Sequence, residues 1–233
     1  ATSAEDIVEA IWAGVNERTR VLFVSHYTSG TALRLPVEQL VARARTAGIL
    51  TVIDGAHIPG QVDLDLTTLG ADFYGANCHK WLMAPKGSAF LYARPEMQEL
   101  LEPLVVSWGR VRRRPGESRF TAEQEHLGTR DLAAFLAVPE AIAFQRDNGW
   151  DQVRDECHTL LCDARRRVSA LTEIEPLCPE SSAWFAQLGL LSLPPVDSLR
   201  LKGLLADQYH IEIPCFDGDY PGVRLSVQGY NSA

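Results

Sequence analysis

Cysteine is sparse and scattered in this chain. Cys78, Cys157, Cys162, Cys178 and Cys215 form neither an even set nor a C-x-x-C spacing. That excludes a disulfide framework and a structural zinc site, and it fits reduced thiols in a cytoplasm. Positive charge is also short, since 22 Lys and Arg stand against 30 Asp and Glu for a net charge of −8. Without surplus cations the chain lacks the footing for a phosphate-backbone partner. No apolar run approaches the ~20 residues of a membrane span. The opening Ala1-Thr2-Ser3 carries neither the basic nor the apolar stretch of a secretory signal. We therefore expect a cytoplasmic protein with no nucleic-acid and no membrane partner. Internal repeats and low-complexity tracts are missing too.

What is present is an ordinary globular composition, 46% hydrophobic and 22% charged over 233 residues, enough for one large domain or one and a half. Ile7, Ile11 and Val15 recur every four residues behind a Ser3/Asp6 capping pair, which predicts an amphipathic helix over 3–16. The apolar run 21–24 predicts a strand covered on both faces. Pro36 opens a second helix that Gly48 closes, and 50–53 predicts a buried strand ending at Asp54. Strand, helix, strand in this order implies a right-handed parallel crossover. Further strands are expected at 72–75 and 88–92. Residues 109–119, with five arginines, Pro115 and Gly116, read as an exposed connector. Beyond it, helices are expected at 132–144, at 153–171 with Asp151 as a candidate N-cap, and near 196–208, with strands at 183–188 and 223–227. The fold class is α/β, a parallel-rich sheet through residue 130, followed by a smaller α+β domain over 131–233.

In open α/β sheets, ligands sit outside the carboxyl ends of the strands. Two segments end there with reactive groups, Asp54-Gly55-Ala56-His57 and Asn77-Cys78-His79-Lys80. Taken singly, Asp54 is best read as a turn or capping carboxylate and Lys80 as a solvated surface lysine. Together, on neighbouring strand ends, they can face one pocket. A lysine amine becomes nucleophilic when burial or a neighbouring cation lowers its pKa from ~10.4 toward ~7–8; it then forms a Schiff base with an aldehyde. An aspartate beside a pyridine nitrogen keeps that nitrogen protonated. A pyridoxal-phosphate site needs both.

Ser25-His26, Asp54-Gly55-Ala56-His57-Ile58-Pro59-Gly60-Gln61, His79-Lys80-Trp81, Ala84-Pro85-Lys86-Gly87-Ser88 and Arg224-Leu225-Ser226-Val227-Gln228-Gly229-Tyr230-Asn231 together resemble the class V aminotransferase family of fold-type I pyridoxal-phosphate enzymes, in its isopenicillin N epimerase-like branch. The resemblance runs over essentially the whole chain. It implies a partial large domain lacking its N-terminal part, the cofactor pyridoxal 5'-phosphate, and a homodimer in the full-length form. It also implies roles. Lys80 is the Schiff-base lysine and proton shuttle, Asp54 pairs with the pyridinium nitrogen, and His57 lies beside the ring. Asn77 and His79 hold the phosphate, and Gly128-Thr129 reaches the phosphate of a neighbouring subunit. Arg224 clamps the substrate carboxylate, for which a two-pronged guanidinium is suited. His26 faces the cofactor or substrate from the preceding strand end.

Other readings of the same residues stay open. His26 and His57 also suit hydrogen-bonded structural histidines, Thr129 a helix cap, Arg224 a sheet-edge ion-pair partner and Asn77 a turn. Trp81 reads as a pocket wall or a core side chain. The implied function is chemistry at the α-carbon of an amino-acid-like substrate, covering epimerisation, transamination and lyase reactions. Among the relatives, a cysteine desulfurase needs a mobile nucleophilic cysteine. Cys215, between Pro214 and Phe216 and nine residues before Arg224, reads instead as a buried structural thiol. From other classes, Asp54, His57 and His79 offer a partial metal set for a hydrolase, or the chain is a non-catalytic fragment. The arginine run over 110–119 stands in an acidic chain without aromatic stackers and reads as a solvated loop or subunit contact.

Overall fold

The computed structural model describes residues 3–232. Helix α1 (Ala4–Trp12) is closed by a full capping box, in which the Ser3 hydroxyl accepts from the Asp6 N–H and the Asp6 carboxylate accepts from the Ser3 N–H. Strand β1 (Val21–Ser25), helix α2 (Val37–Thr46) and strand β2 (Leu50–Asp54) follow, with Gly48 turning the chain at φ 67°. A single-turn helix α3 (Leu66–Leu69) leads to β3 (Phe73–Asn77) and β4 (Ala89–Ala93). The first sheet runs β1-β2-β3-β4, with β1, β2 and β3 parallel and β4 antiparallel to β3.

Register does the positioning. Ser25 pairs with Asp54, and Asp54 with Gly75, so Ser25, Asp54 and the end of β3 at Asn77 share one edge of the sheet. Val37, Val41, Ile53, Tyr74 and Ala76 form one apolar cluster behind that edge. Buried Asp72 ties the strands together, accepting from the Thr51 N–H (2.8 Å), the Thr51 hydroxyl (3.0 Å) and Arg94 Nη2 (2.7 Å).

After 3-10 turns at Pro95–Leu100 and Trp108–Arg110 come helices α4 (Arg119–Glu125), α5 (Ala133–Leu136), α6 (Val138–Asp147) and α7 (Trp150–Thr172). Strand β5 (Leu188–Ser192), helix α8 (Ser198–Tyr209) and strands β6 (Cys215–Phe216) and β7 (Gly222–Ser226) complete the chain. The second sheet is antiparallel in the order β5-β7-β6. Its core of Cys157, Leu161, Phe185, Leu188, Leu191 and Val227 is continuous with Tyr27, Ala32, Ile58 and Trp81 from the first half of the chain. Burying each large member contributes roughly 1.5–3 kcal/mol.

Several expectations need correction. Strand β1 is not covered on both faces. Leu22 is buried, while Val21 and Phe23 stand 48% and 68% exposed, because alternate side chains point to opposite faces. The helix expected over 132–144 is two, α5 and α6, divided at Ala137, where Pro139 supplies no N–H to continue the ladder. The long helix starts at Trp150 behind Gly149, so Asp151 lies inside its first turn and pairs with Arg154 instead of capping. The strand expected at 183–188 begins only at Leu188, because the Ser181 carbonyl and hydroxyl take the N–H groups of Trp184 and Ala183 into a turn. Within 109–119, residues 111–116 are exposed. Gly109, however, is packed so tightly that a Cβ would sit 1.8 Å from the Ala122 carbonyl oxygen.

Candidate active site

Asp54 ends β2 with both carboxylate oxygens engaged. The Ala56 N–H donates to Oδ1 (2.9 Å) and the Ser25 hydroxyl to Oδ2 (3.4 Å). The following loop curls back through N–H bonds from Ile58 to Gly55 and from Gln61 to Ile58. It lies directly on the turn that carries Lys80. Gly60, at φ 94°, has no room for a side chain, since a Cβ would meet the Trp81 carbonyl and the Leu82 nitrogen at 2.4 Å. Gly55 is equally confined, its Cβ position lying 2.0 Å from the Tyr74 ring.

That packing delivers His57 to Lys80. Lys80 Nζ lies 3.5 Å from His57 Nε2, and Trp81 Nε1 donates to His57 Nδ1 at 3.3 Å. The Gln61 side-chain amide holds the His57 carbonyl, while its oxygen accepts from the Gln187 N–H (3.1 Å), linking the loop to the second sheet. On the other side, Gln145 of α6 donates to the Trp81 carbonyl at 2.8 Å.

Arg224 arrives from β7. Its Nη1 donates to the Ser29 carbonyl (2.7 Å) and hydroxyl (2.9 Å), and its guanidinium lies 5.9 Å from the centre of the Phe216 ring. Among the described residues no carboxylate lies within ion-pair distance of it, so the sheet-edge ion pair is not formed. Its Nε is buried without a partner.

The charges sense one another. Burial pushes the His57 imidazole down to about 4, with Lys80 and Arg224 adding to the depression and Asp54 opposing it. Partial desolvation lowers the Lys80 amine, Arg224 lowers it further, and Asp54 pulls it back up. Burial likewise lowers Arg224. Asp54, His57, Lys80 and Arg224 therefore form one electrostatic unit, the combination that marks candidate chemistry.

The remaining expected residues fall around this centre. Asn77 closes β3, and His79 Nδ1 lies 3.0 Å from the Ser88 carbonyl oxygen. Thr129 is exposed in the loop after α4, next to Gly128 at φ 98°, and makes no hydrogen bond to the others. His26 follows β1 directly and is buried. It is 1% exposed, with Nδ1 3.0 Å from the Tyr74 hydroxyl and Nε2 buried without a partner. Cys215 sits in the β6–β7 ladder with its thiol on the Ile213 carbonyl, and burial raises its pKa. Ser29, Tyr74 and Gln61 were not assigned roles from sequence, and Trp81, read as a pocket wall or a core side chain, is in the core. Gln61 and Trp81 lie inside the motifs; Ser29 and Tyr74 have no local signal, because only the fold brings them in.

Among the described residues, no group of three His, Cys, Asp or Glu side chains is placed to hold a metal ion, which leaves the hydrolase reading without a ligand set. Likewise, no helix among them is long and apolar enough to cross a membrane.

Comparison with known proteins follows the same lines. The isopenicillin N epimerase of Amycolatopsis lactamdurans is 39% identical over 241 residues, covering 99% of this chain and 61% of that protein. The probable chloroplastic L-cysteine desulfhydrase of Arabidopsis thaliana is 30% identical, covering 98% and 52%. The chain thus spans about three-fifths or less of these relatives' lengths. The fold is shared with the cysteine desulfurase CsdA of Escherichia coli, with a TM-score of 0.76 at 21% identity over 97% of this chain and 58% of that one. Residues 4–214 match the family model for aminotransferase class-V. The chain belongs to the aminotransferase class-V family.

Proposed function

We propose that this chain carries the amine, the acid and the anion clamp of a pyridoxal-phosphate enzyme working at the α-carbon of an amino acid or amino-acid-derived substrate. One observation carries the reading. Lys80 Nζ lies 3.5 Å from His57 Nε2 on the loop that Asp54 opens, and both groups feel Asp54 and Arg224, a guanidinium without a carboxylate partner among the described residues. The donor set fits the cofactor: an amine with a lowered pKa for its aldehyde, a carboxylate for its ring nitrogen, and an imidazole beside the amine. Asn77 and His79, with Thr129 from the neighbouring subunit of a homodimer, would hold its phosphate.

When bound, pyridoxal phosphate supplies an aldehyde that condenses with amines and a cationic ring that draws electrons from the α-carbon. The protein does the rest. Asp54, fixed by Ser25 and the Ala56 N–H, keeps a negative charge at the ring nitrogen's side of the site. Arg224 meets the substrate carboxylate through the guanidinium N–H groups that Ser29 leaves open. Lys80 removes a proton at the α-carbon and returns it, and partial burial, which lowers its pKa, favours the free amine that this task needs.

For the reaction, 39% identity to an isopenicillin N epimerase supports epimerisation. The desulfhydrase relative supports a second reading, elimination at a carbon–sulfur bond. A desulfurase mechanism is less supported, because the ladder-bound Cys215 is not on a mobile loop. The test uses the whole protein with added cofactor, screening amino acids for deuterium uptake at the α-carbon and, with cysteine, for sulfide release. A visible absorption band that Lys80→Ala abolishes is expected. Persistence of that band in the variant would sink the assignment of Lys80.

A further inference from the structure

Trp81 and Lys80 are neighbours in sequence, and their side chains meet the same imidazole through its two different nitrogens. Trp81 Nε1 lies 3.3 Å from His57 Nδ1, and Lys80 Nζ lies 3.5 Å from His57 Nε2. An indole nitrogen donates and never accepts. The bond to Nδ1 therefore needs that nitrogen unprotonated, and the neutral ring must carry its single proton on Nε2.

We propose that Trp81 is a positioning residue, whose indole N–H holds His57 as the neutral Nε2–H tautomer so that His57 donates to the free amine of Lys80 and favours it over the ammonium. An ammonium has three donors and no acceptor, so it would set N–H against N–H. Only the free amine offers a lone pair to Nε2–H. Imidazolium is disfavoured at the Nδ1 end, where a second ring N–H would face the indole N–H.

The surroundings act in the same direction. Burial and Arg224 disfavour a charged His57, Lys80 adds to this only when it is itself protonated, and Asp54 favours the charged ring. The Tyr27 ring, 6.4 Å away, adds only apolar surface. The indole cannot swing aside easily. Trp81 is buried in the core cluster, its carbonyl is held by Gln145, and Gly60 packs against its backbone. The tautomer does not depend on any cofactor. Its consequence at Lys80 rests on reading Lys80 as the reacting amine.

The test is made on the full chain without cofactor, labelled with ¹⁵N-histidine. Two-bond ¹⁵N–¹H correlations report the tautomer, and His57→Gln assigns the signals. Wild type should show His57 as Nε2–H across neutral pH. In Trp81→Phe the Nδ1–H form should grow at least about fivefold, and the titration midpoint should rise by about half to one pH unit, the size expected from losing one hydrogen bond. The rate at which the Lys80 amine reacts with trinitrobenzenesulfonate near pH 8, with Lys80→Arg as the blank, should fall about threefold. An Nδ1–H tautomer in wild type overturns the proposal even if the variant does not fold. So does a folded Trp81→Phe protein with unchanged tautomer, while an unchanged amine rate overturns the coupling to Lys80. None of these outcomes alters the absorption test of the proposed function, and loss of the absorption band would leave the tautomer result standing.

Discussion

Arg224 Nη1 donates to both the carbonyl and the hydroxyl of Ser29, at 2.7 and 2.9 Å, across 195 positions of sequence. This pair ties β7 to the loop that follows β1. It also occupies one guanidinium nitrogen, so the angle at which Arg224 meets a carboxylate is set by Ser29.

Ser29→Ala removes the hydroxyl contact and keeps the carbonyl one. With substrate and cofactor, KM should rise about fivefold, the worth of one hydrogen bond near 1 kcal/mol, while kcat changes little. A Ser29→Thr variant should recover most of the affinity. Steady-state kinetics on all three proteins checks this, and an unaltered KM in Ser29→Ala would remove Ser29 from the account.

Asp54→Ala should keep some cofactor and lose α-proton exchange by about a hundredfold or more, in line with removing one preorganised charge. Deuterium incorporation followed by mass spectrometry gives the rate. Exchange at the wild-type rate would show that the Asp54 carboxylate has no electronic part in the chemistry.

Gly55→Ala places a methyl 2.0–2.2 Å from the Cε1, Cζ and hydroxyl atoms of Tyr74. Tyr74 is fully buried, with its hydroxyl on His26, so it has nowhere to retreat. The loss should be about 1–3 kcal/mol, the usual cost of overpacking, read as a lower urea midpoint with an unchanged slope. A midpoint equal to wild type would mean that the Asp54 turn and the Tyr74 ring are not in contact.

Stability should depend on acid through two histidines. Burial holds both His26 and His57 at about 4 in the folded protein, against 6.5 for a free imidazole. Between those values the unfolded chain binds more protons than the folded one, so stability rises with pH from about 4 to 6.5 and levels off above. Urea titrations at pH 5 and 7 should show the difference, and His26→Asn or His57→Asn should each flatten it. A pH-independent midpoint over that window would mean that neither ring is held neutral.

The sheet and the reactive strand ends were legible because their signals are local. Apolar runs end at Asp54 and just before the Asn77-Cys78-His79-Lys80 segment, and the Ser3/Asp6 capping box is formed as expected. Less legible were features set by distant chain. The exposure of Val21 and Phe23 depends on what lies over a face. The late start of β5 depends on Ser181 capturing two N–H groups, and β6 is too short to leave a pattern. In the site, Asp54 and Lys80 could be paired from motif and topology. The Arg224–Ser29 contact could not, because nothing in either residue's neighbourhood encodes a partner 195 positions away. The His26–Tyr74 contact is equally silent in the sequence, because 48 positions separate the two residues.

Arg165 offers a test of the second core. It is buried in α7, with its guanidinium 4.0 Å from the centre of the Phe185 ring and Nη2 donating to the Cys178 carbonyl at 2.9 Å. Nη1 is buried without a partner. A desolvated cation held by a ring, a carbonyl and the Cys178 sulfur (3.5 Å), with no carboxylate in ion-pair reach among the described residues, is poorly compensated, so Arg165→Met, similar in length and apolar, should leave stability unchanged or raise it by about 1–4 kcal/mol. The ring still contributes where the cation is present. Phe185→Leu should therefore cost more in the Arg165 background than in the Met background, with a coupling of about 1–2 kcal/mol in a double-mutant cycle. Urea denaturation of the four proteins measures it. A coupling near zero would mean that Phe185 packs against the arginine's methylene stem alone, and a large loss in Arg165→Met would mean that the buried guanidinium is better satisfied than its hydrogen bonds indicate.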